Sequence, residues 1–198
     1  GGGFGGSAAA GGAGGACDLS SPLDLRVLHS TDDAEEAVAS GGMYLDSSDL
    51  ELVEDLSGPT SQLVGVRFRN VAIPPGATIV SAHLELTADE VSTGAASLVV
   101  HGQAADDGAT FASSGYDISS RPRTAASVAW NPPEWLTLGE THLSPDLSPI
   151  VQEIVDRSGW SPCNAIVLIV SGTGRRTADA YDGSAGTAPL LHVETSPP

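Results

Sequence analysis

The sequence predicts an all-β domain, a jelly-roll-like antiparallel β-sandwich with one short helix and a Gly/Ala-rich N-terminal extension. Aromatic residues make up only 5% of the chain, whereas it holds 24 Gly and 13 Pro, the usage of short strands joined by tight turns. A length of 198 residues suits one sandwich of ordinary size, with 1–16 as tail and 17–198 as domain. The third observation is the stretch VGVRFRNVAIPPGATIVSAHLEL at 64–86, which alternates like two strands about one tight turn.

In its first arm Val64, Val66 and Phe68 share a face and Arg67 and Arg69 take the other. In the second, Val80, Ala82, Leu84 and Leu86 oppose Ser81, His83 and Glu85. Direct pairing as a hairpin would set Phe68 opposite Ala82 and Val66 opposite Leu84, with Pro75 in a type I turn and Gly76 in the left-handed position after it. The alternative is a turn at which the chain crosses between the two sheets.

Before this stretch, a strand is expected over 25–31, then the acidic run Asp32, Asp33, Glu35 and Glu36, then short strands over 43–45 and 50–53. Asp46-Ser47-Ser48-Asp49 between those two is a turn sequence. After it come a strand over 97–103, a loop-rich region over 104–123 and a strand over 124–130 ended by Asn131-Pro132-Pro133. Ser144 as N-cap, Pro145 at the first helical position and the stripe Leu147, Ile150, Val151, Ile154 and Val155 predict the helix. The apolar run NAIVLIV at 164–170 predicts a strand buried on both faces, and 190–195 the last strand.

In the first sixteen residues, fourteen are Gly or Ala. Such a segment has almost no apolar area to offset the entropy of ordering, and it suits a narrow groove or the space between subunits. Phe4 is its one large apolar group. Gly1, Gly2, Gly3, Phe4, Gly5 and Gly6 are therefore the candidate assembly residues.

Gly1 in place of an initiator Met reads as a mature chain whose export signal has been removed. The expected location is secreted, extracellular or at the cell surface. No stretch has the length and apolarity of a membrane-spanning helix. Two Cys in such a chain are expected to pair, Cys17 with Cys163, stabilising the fold by roughly 4 to 5 kcal/mol on the chain-entropy model. The formal charge is −17, with 8 basic residues, all Arg, against 25 carboxylates, so nucleic acid and anionic membranes are disfavoured as partners.

The series VRFRNVAIPPGATIVSAHLEL, TAASVAW, a Pro-Asp-Leu-Ser helix start, NAIVLIVSG and TAPLLHVE resembles the DNRLRE-type β-sandwich modules of secreted bacterial proteins. The likeness spans roughly residues 26 to 195. It implies the fold, and it implies a carbohydrate-binding role, since some such modules bind acidic polysaccharides such as alginate.

No nucleophile elbow, zinc-protease motif, P-loop or paired-Cys motif is present, and the five His are scattered, so no catalytic residue is assigned. Structural calcium is the candidate cofactor, with Asp32, Asp33, Glu35, Glu36, Asp179 and Asp182 as oxygen donors if first and last strands lie close. For ligand binding the candidates are Arg67, Arg69, Trp135, Arg121 and Arg123. Two functions follow, the first, assembly into a filament or surface layer, being the expectation and the second its alternative. One is an extracellular structural subunit that assembles head-to-tail with copies of itself through its tail. The other is a carbohydrate-binding module for an extracellular polysaccharide.

Overall fold

The structure, a computed structural model, describes residues 17, 21–55 and 60–196. It is an all-β sandwich with one short helix. One sheet has the order β1 (Leu23–Arg26), β13 (Leu190–Ser196), β7 (Thr78–Thr87) and β10 (Thr141–Leu143). The other runs β3 (Met43–Tyr44), β2 (Asp33–Ala37), β6 (Thr60–Phe68), β11 (Ile166–Thr173), β8 (Ser97–Gln103) and β9 (Arg123–Trp130), with β5 (Glu54–Asp55) also pairing with β6. A separate pair joins β4 (Asp49–Leu52) to β12 (Arg176–Asp179).

The central stretch does not form a hairpin. Its arms, β6 and β7, lie in different sheets, and the crossing segment Val71-Ala72-Ile73 is fully buried between them. Three consecutive apolar residues before the turn cannot sit at an exposed hairpin tip, so burial draws the chain across the end of the sandwich. Val71 exchanges backbone hydrogen bonds with Cys163 and Asn164, and the Trp160 indole donates to the Ile73 carbonyl at 3.0 Å. The turn itself is closed by the Ala77 N–H on the Pro74 carbonyl, with Gly76 third at φ 81°, which is type II geometry and not type I.

Two further corrections concern register. On β7 a bulge sets Ile79 opposite Thr195 and Ser81 opposite Glu194, so Val80 is the extra residue and faces solvent while Ile79 turns inward. The helix, α1 (Ser148–Val155), begins one turn later than the Ser-Pro signal suggested. Ser144 is engaged elsewhere, its hydroxyl accepting the Leu84 N–H, and Asp146 Oδ1 accepts the N–H groups of both Ala82 and Ser148. The apolar stripe was read correctly: Ile150, Val151, Ile154 and Val155 are buried.

The main core lies between the sheets, where Val64, Val66, Phe68, Leu168, Val170, Leu98 and Val100 meet Ala82, Leu84, Leu86, Leu191 and Val193. A second cluster on the outer face of the larger sheet joins Ala34, Leu63, Val167 and Ile169 to Phe111 and Ile118 from the loop after β8. Gly65 makes this packing possible, because a Cβ there would stand 2.4 Å from the Phe111 ring. Cys17 and Cys163 form the expected disulfide across 146 positions, tying the first described residue to the entrance of β11.

Two outcomes test this architecture. Gly65→Ala is expected to lower stability by about 1–3 kcal/mol by forcing Phe111 from its seat, read as a drop in denaturant midpoint with unchanged slope. Cys17→Ser with Cys163→Ser is expected to cost about 5 kcal/mol on the chain-entropy model.

Candidate functional site

The strand β2 departs most from what its sequence suggested. Asp33-Ala34-Glu35-Glu36-Ala37 reads as an exposed acidic run, yet every one of its residues is buried. It pairs with β6 through Asp33 opposite Val66, Glu35 opposite Val64 and Glu36 opposite Leu63. Period-two alternation therefore turns Asp33 and Glu35 toward the inner face and Glu36 toward the outer cluster.

Each carboxylate accepts backbone N–H groups from a different segment. Asp33 Oδ2 takes Tyr181 at 2.8 Å, Glu35 Oε1 takes Glu51 at 2.6 Å, and Glu36 Oε2 takes Ile118 and Ser119 at 2.7 and 2.8 Å. Burial pushes the Asp33 carboxyl up to about 7, with the charge of Asp182 adding to it. Burial also pushes Glu35 up to about 9, reinforced by its hydrogen bond and charge contact with the Glu51 carboxyl.

The six expected calcium ligands do not converge. Asp33 and Asp182 are neighbours, but Asp32 turns to Arg67 and Glu36 to the loop of Ile118, while Asp179 sits beside Asp89 and opposite Asp49. Among the described residues no three His, Cys, Asp or Glu side chains are gathered to hold a metal ion. Strand alternation splits the run between two faces, so its carboxylates do not form one donor set.

Two cavities flank the acidic segment. The first, of about 360 Å³, is lined by His29, Thr31, Asp32, Arg67, Arg69 and Thr110. Alternation along β6 sends Arg67 to the outer face, as the sequence indicated, and Arg69, the first residue after the strand, lines the same cavity. Arg67 is not free: its Nη1 lies 2.6 Å from Asp32 Oδ1 and its Nε donates to the Gly108 carbonyl at 2.6 Å. Asp32 is 1% exposed and its Oδ2 has no partner among the described residues. Arg69 is exposed, and among the described residues it makes no hydrogen bond or ion pair. Thr110 Oγ1 donates to the Thr31 carbonyl at 2.8 Å.

The second cavity, of about 230 Å³, is lined by Glu35, Tyr44, Ser47, Glu51, Asp55 and Gln62. It lies beside β2, and of its lining Glu35 was expected as a calcium donor, whereas Glu51 and Gln62 did not stand out in the sequence.

Two other sequence candidates, Arg121 and Trp135, take structural roles. Arg121 is 8% exposed, pairs with Asp117 at 2.7 Å, donates to the Ala109 and Thr110 carbonyls, and stacks 4.3 Å over Phe111. It pins the loop that covers the outer cluster. Trp135 is fully buried and stacked on His142 at 4.5 Å, so it offers no platform to a ligand. Arg123, on β9, is not among the residues lining either cavity. The assembly residues Gly1, Gly2, Gly3, Phe4, Gly5 and Gly6 lie outside the described residues.

The raised carboxyls fix the sign of a pH dependence. Asp33 and Glu35 keep protons in the folded chain that the unfolded chain loses near pH 4, so the folded state binds more protons above that point. Their contribution is fully present below the unfolded values and is lost as pH rises through about 7 and about 9. The melting temperature is therefore expected to fall as pH is raised from 5 to 9, and Glu35→Gln should flatten the alkaline part of that slope. A melting temperature that rises over this range would contradict the buried-proton account.

No protein-family model matches this chain, and no curated protein matches it.

Proposed function

We propose that the domain is an extracellular, non-catalytic saccharide-binding module whose site is the groove of Arg67 and Arg69. One observation carries this reading: in a chain of charge −17, the exposed Arg69, without a hydrogen bond or ion pair among the described residues, stands in a cavity with a second arginine, two threonine hydroxyls, an imidazole and a buried carboxylate oxygen that meets no donor among those residues. Sugars present donors and acceptors side by side. Asp32 Oδ2 is an acceptor for a hydroxyl, and the Arg69 guanidinium is a fork of donors suited to a uronate carboxylate. The resemblance to DNRLRE-type modules points the same way, as does the disulfide, which suits an oxidising compartment.

Titration with a uronic-acid oligosaccharide, beside a neutral one of equal length, tests the reading. Arg69→Ser is expected to weaken uronate binding about tenfold, the scale of one lost charge-assisted contact, without altering the melting temperature. Arg123→Ser serves as the control and should bind like the parent. Because the net charge repels the ligand, the association rate should rise as salt is raised from about 20 to 150 mM. Equal binding by Arg69→Ser and the parent would remove the groove as the site.

Self-assembly through the tail is the second reading. The disulfide favours it by fixing Cys17, and with it the point where the tail leaves the domain. Deleting 1–16 should then leave a folded domain that no longer forms assemblies by electron microscopy.

A further inference from the structure

We propose that the cavity between β2, β4 and β5 is a binding site for a protonated primary amine. Its lining is dominated by acceptors: the carboxyl groups of Glu35, Glu51 and Asp55, and the amide oxygen of Gln62. Gln62 is 4% exposed, its Nε2 reaches Glu51 Oε2 at 3.4 Å, and its Oε1 meets no donor among the described residues. A buried acceptor without a donor costs about 1–3 kcal/mol, a cost that an N–H or O–H group of a bound molecule would remove. Asp49 adds a further negative charge acting on both Glu35 and Glu51.

Size and shape narrow the cation. Among the described residues no three acidic groups close around a point the size of a metal ion, whereas the space of about 230 Å³ holds an ammonium with a compact body attached. Glu35 Oε1 takes the Glu51 N–H and the Glu35 carboxyl is hydrogen-bonded to the Glu51 carboxyl, so the pair offers single remaining acceptors and not two parallel ones. Three diverging donors on an ammonium match that arrangement better than the planar fork of a guanidinium. Tyr44, 52% exposed, is the aromatic member of the lining and gives a cation a ring face. The chain contains no Lys, and none of its arginines lines this cavity, so no side-chain cation of this chain fills it.

The test is titration of the intact protein, at about 20 mM NaCl to limit screening, with glucosamine and with n-butylamine, following the Gln62 side-chain amide by NMR. These probes carry the same head group in its amino-sugar and lysine-side-chain forms, and the tighter of the two identifies the source. Both are expected to shift the Gln62 resonances, while N-acetylglucosamine and n-butanol leave them in place. Glu51→Gln should weaken binding about tenfold and Tyr44→Ala about threefold, the latter being a surface change that keeps the fold if the former does not. Absence of a shift with either amine, equal shifts from the neutral controls, undiminished binding by Tyr44→Ala, or a shift produced by calcium chloride and by neither amine would each overturn the proposal.

Discussion

A strand of buried carboxylates organises this sandwich. Burying a carboxylate costs several kcal/mol unless it is neutralised or hydrogen-bonded, and β2 buries three in five residues. It does so by two routes. Glu36 is held by two N–H groups from the 118–119 turn, while Asp33 and Glu35 combine one N–H each with a raised proton affinity. The donors come from three segments far apart in sequence, around residues 51, 118 and 181. Docking them on β2 fixes the positions of β4, the loop over the outer cluster, and the turn before β13.

Buried arginines complete this division of labour. Carboxylates satisfy loop N–H groups, and guanidinium groups satisfy loop carbonyls. Arg176, 1% exposed, donates to the carbonyls of Gly94, Pro132, Pro133 and Arg175, and Arg121 does the same for Ala109, Thr110 and Asp117. With so few aromatics, the chain has little bulk with which to hold long loops by packing. Fixed polar side chains satisfy the loop backbone where it leaves solvent. Arg69, exposed, takes no share in this among the described residues.

What the sequence disclosed follows the same physics. The strands over 97–103, 124–130, 164–170 and 190–195 were legible because their apolar alternation or continuity reflects burial directly, and the helix was legible from its stripe. The strand β2 was not, since composition says that acidic residues face water and only the partners from residues 51, 118 and 181 reverse this. The crossing at 71–73 was legible as a turn but not as a change of sheet, because alternation within each arm is the same in both topologies. Of the candidate site, the outward Arg67 could be read from period two. That Asp32 claims Arg67, and that Trp135 stacks inward on His142, depends on contacts across 35 and 7 positions that no local pattern encodes.

The two cavities have opposite chemistry because a single register divides one acidic segment. Asp32 precedes β2 and faces Arg67 on the outer side of the sheet, whereas Glu35 opposite Val64 points to the inner side. Sliding β2 by one residue along β6 would exchange these faces, placing Glu36 in the inner layer and Glu35 against Phe111 and Ile118. Neither position would then have its N–H donors, and buried charges would stand unpartnered on both sides. The hydrogen bonds from Glu51, Ile118, Ser119 and Tyr181 therefore select the register as well as the loop positions. Hydrophobic pairing could not do this, because the only apolar side chains on β2 are two alanines, too small to distinguish one register from the next. In this domain the polar groups that shape the cavities are the same ones that specify the fold around them.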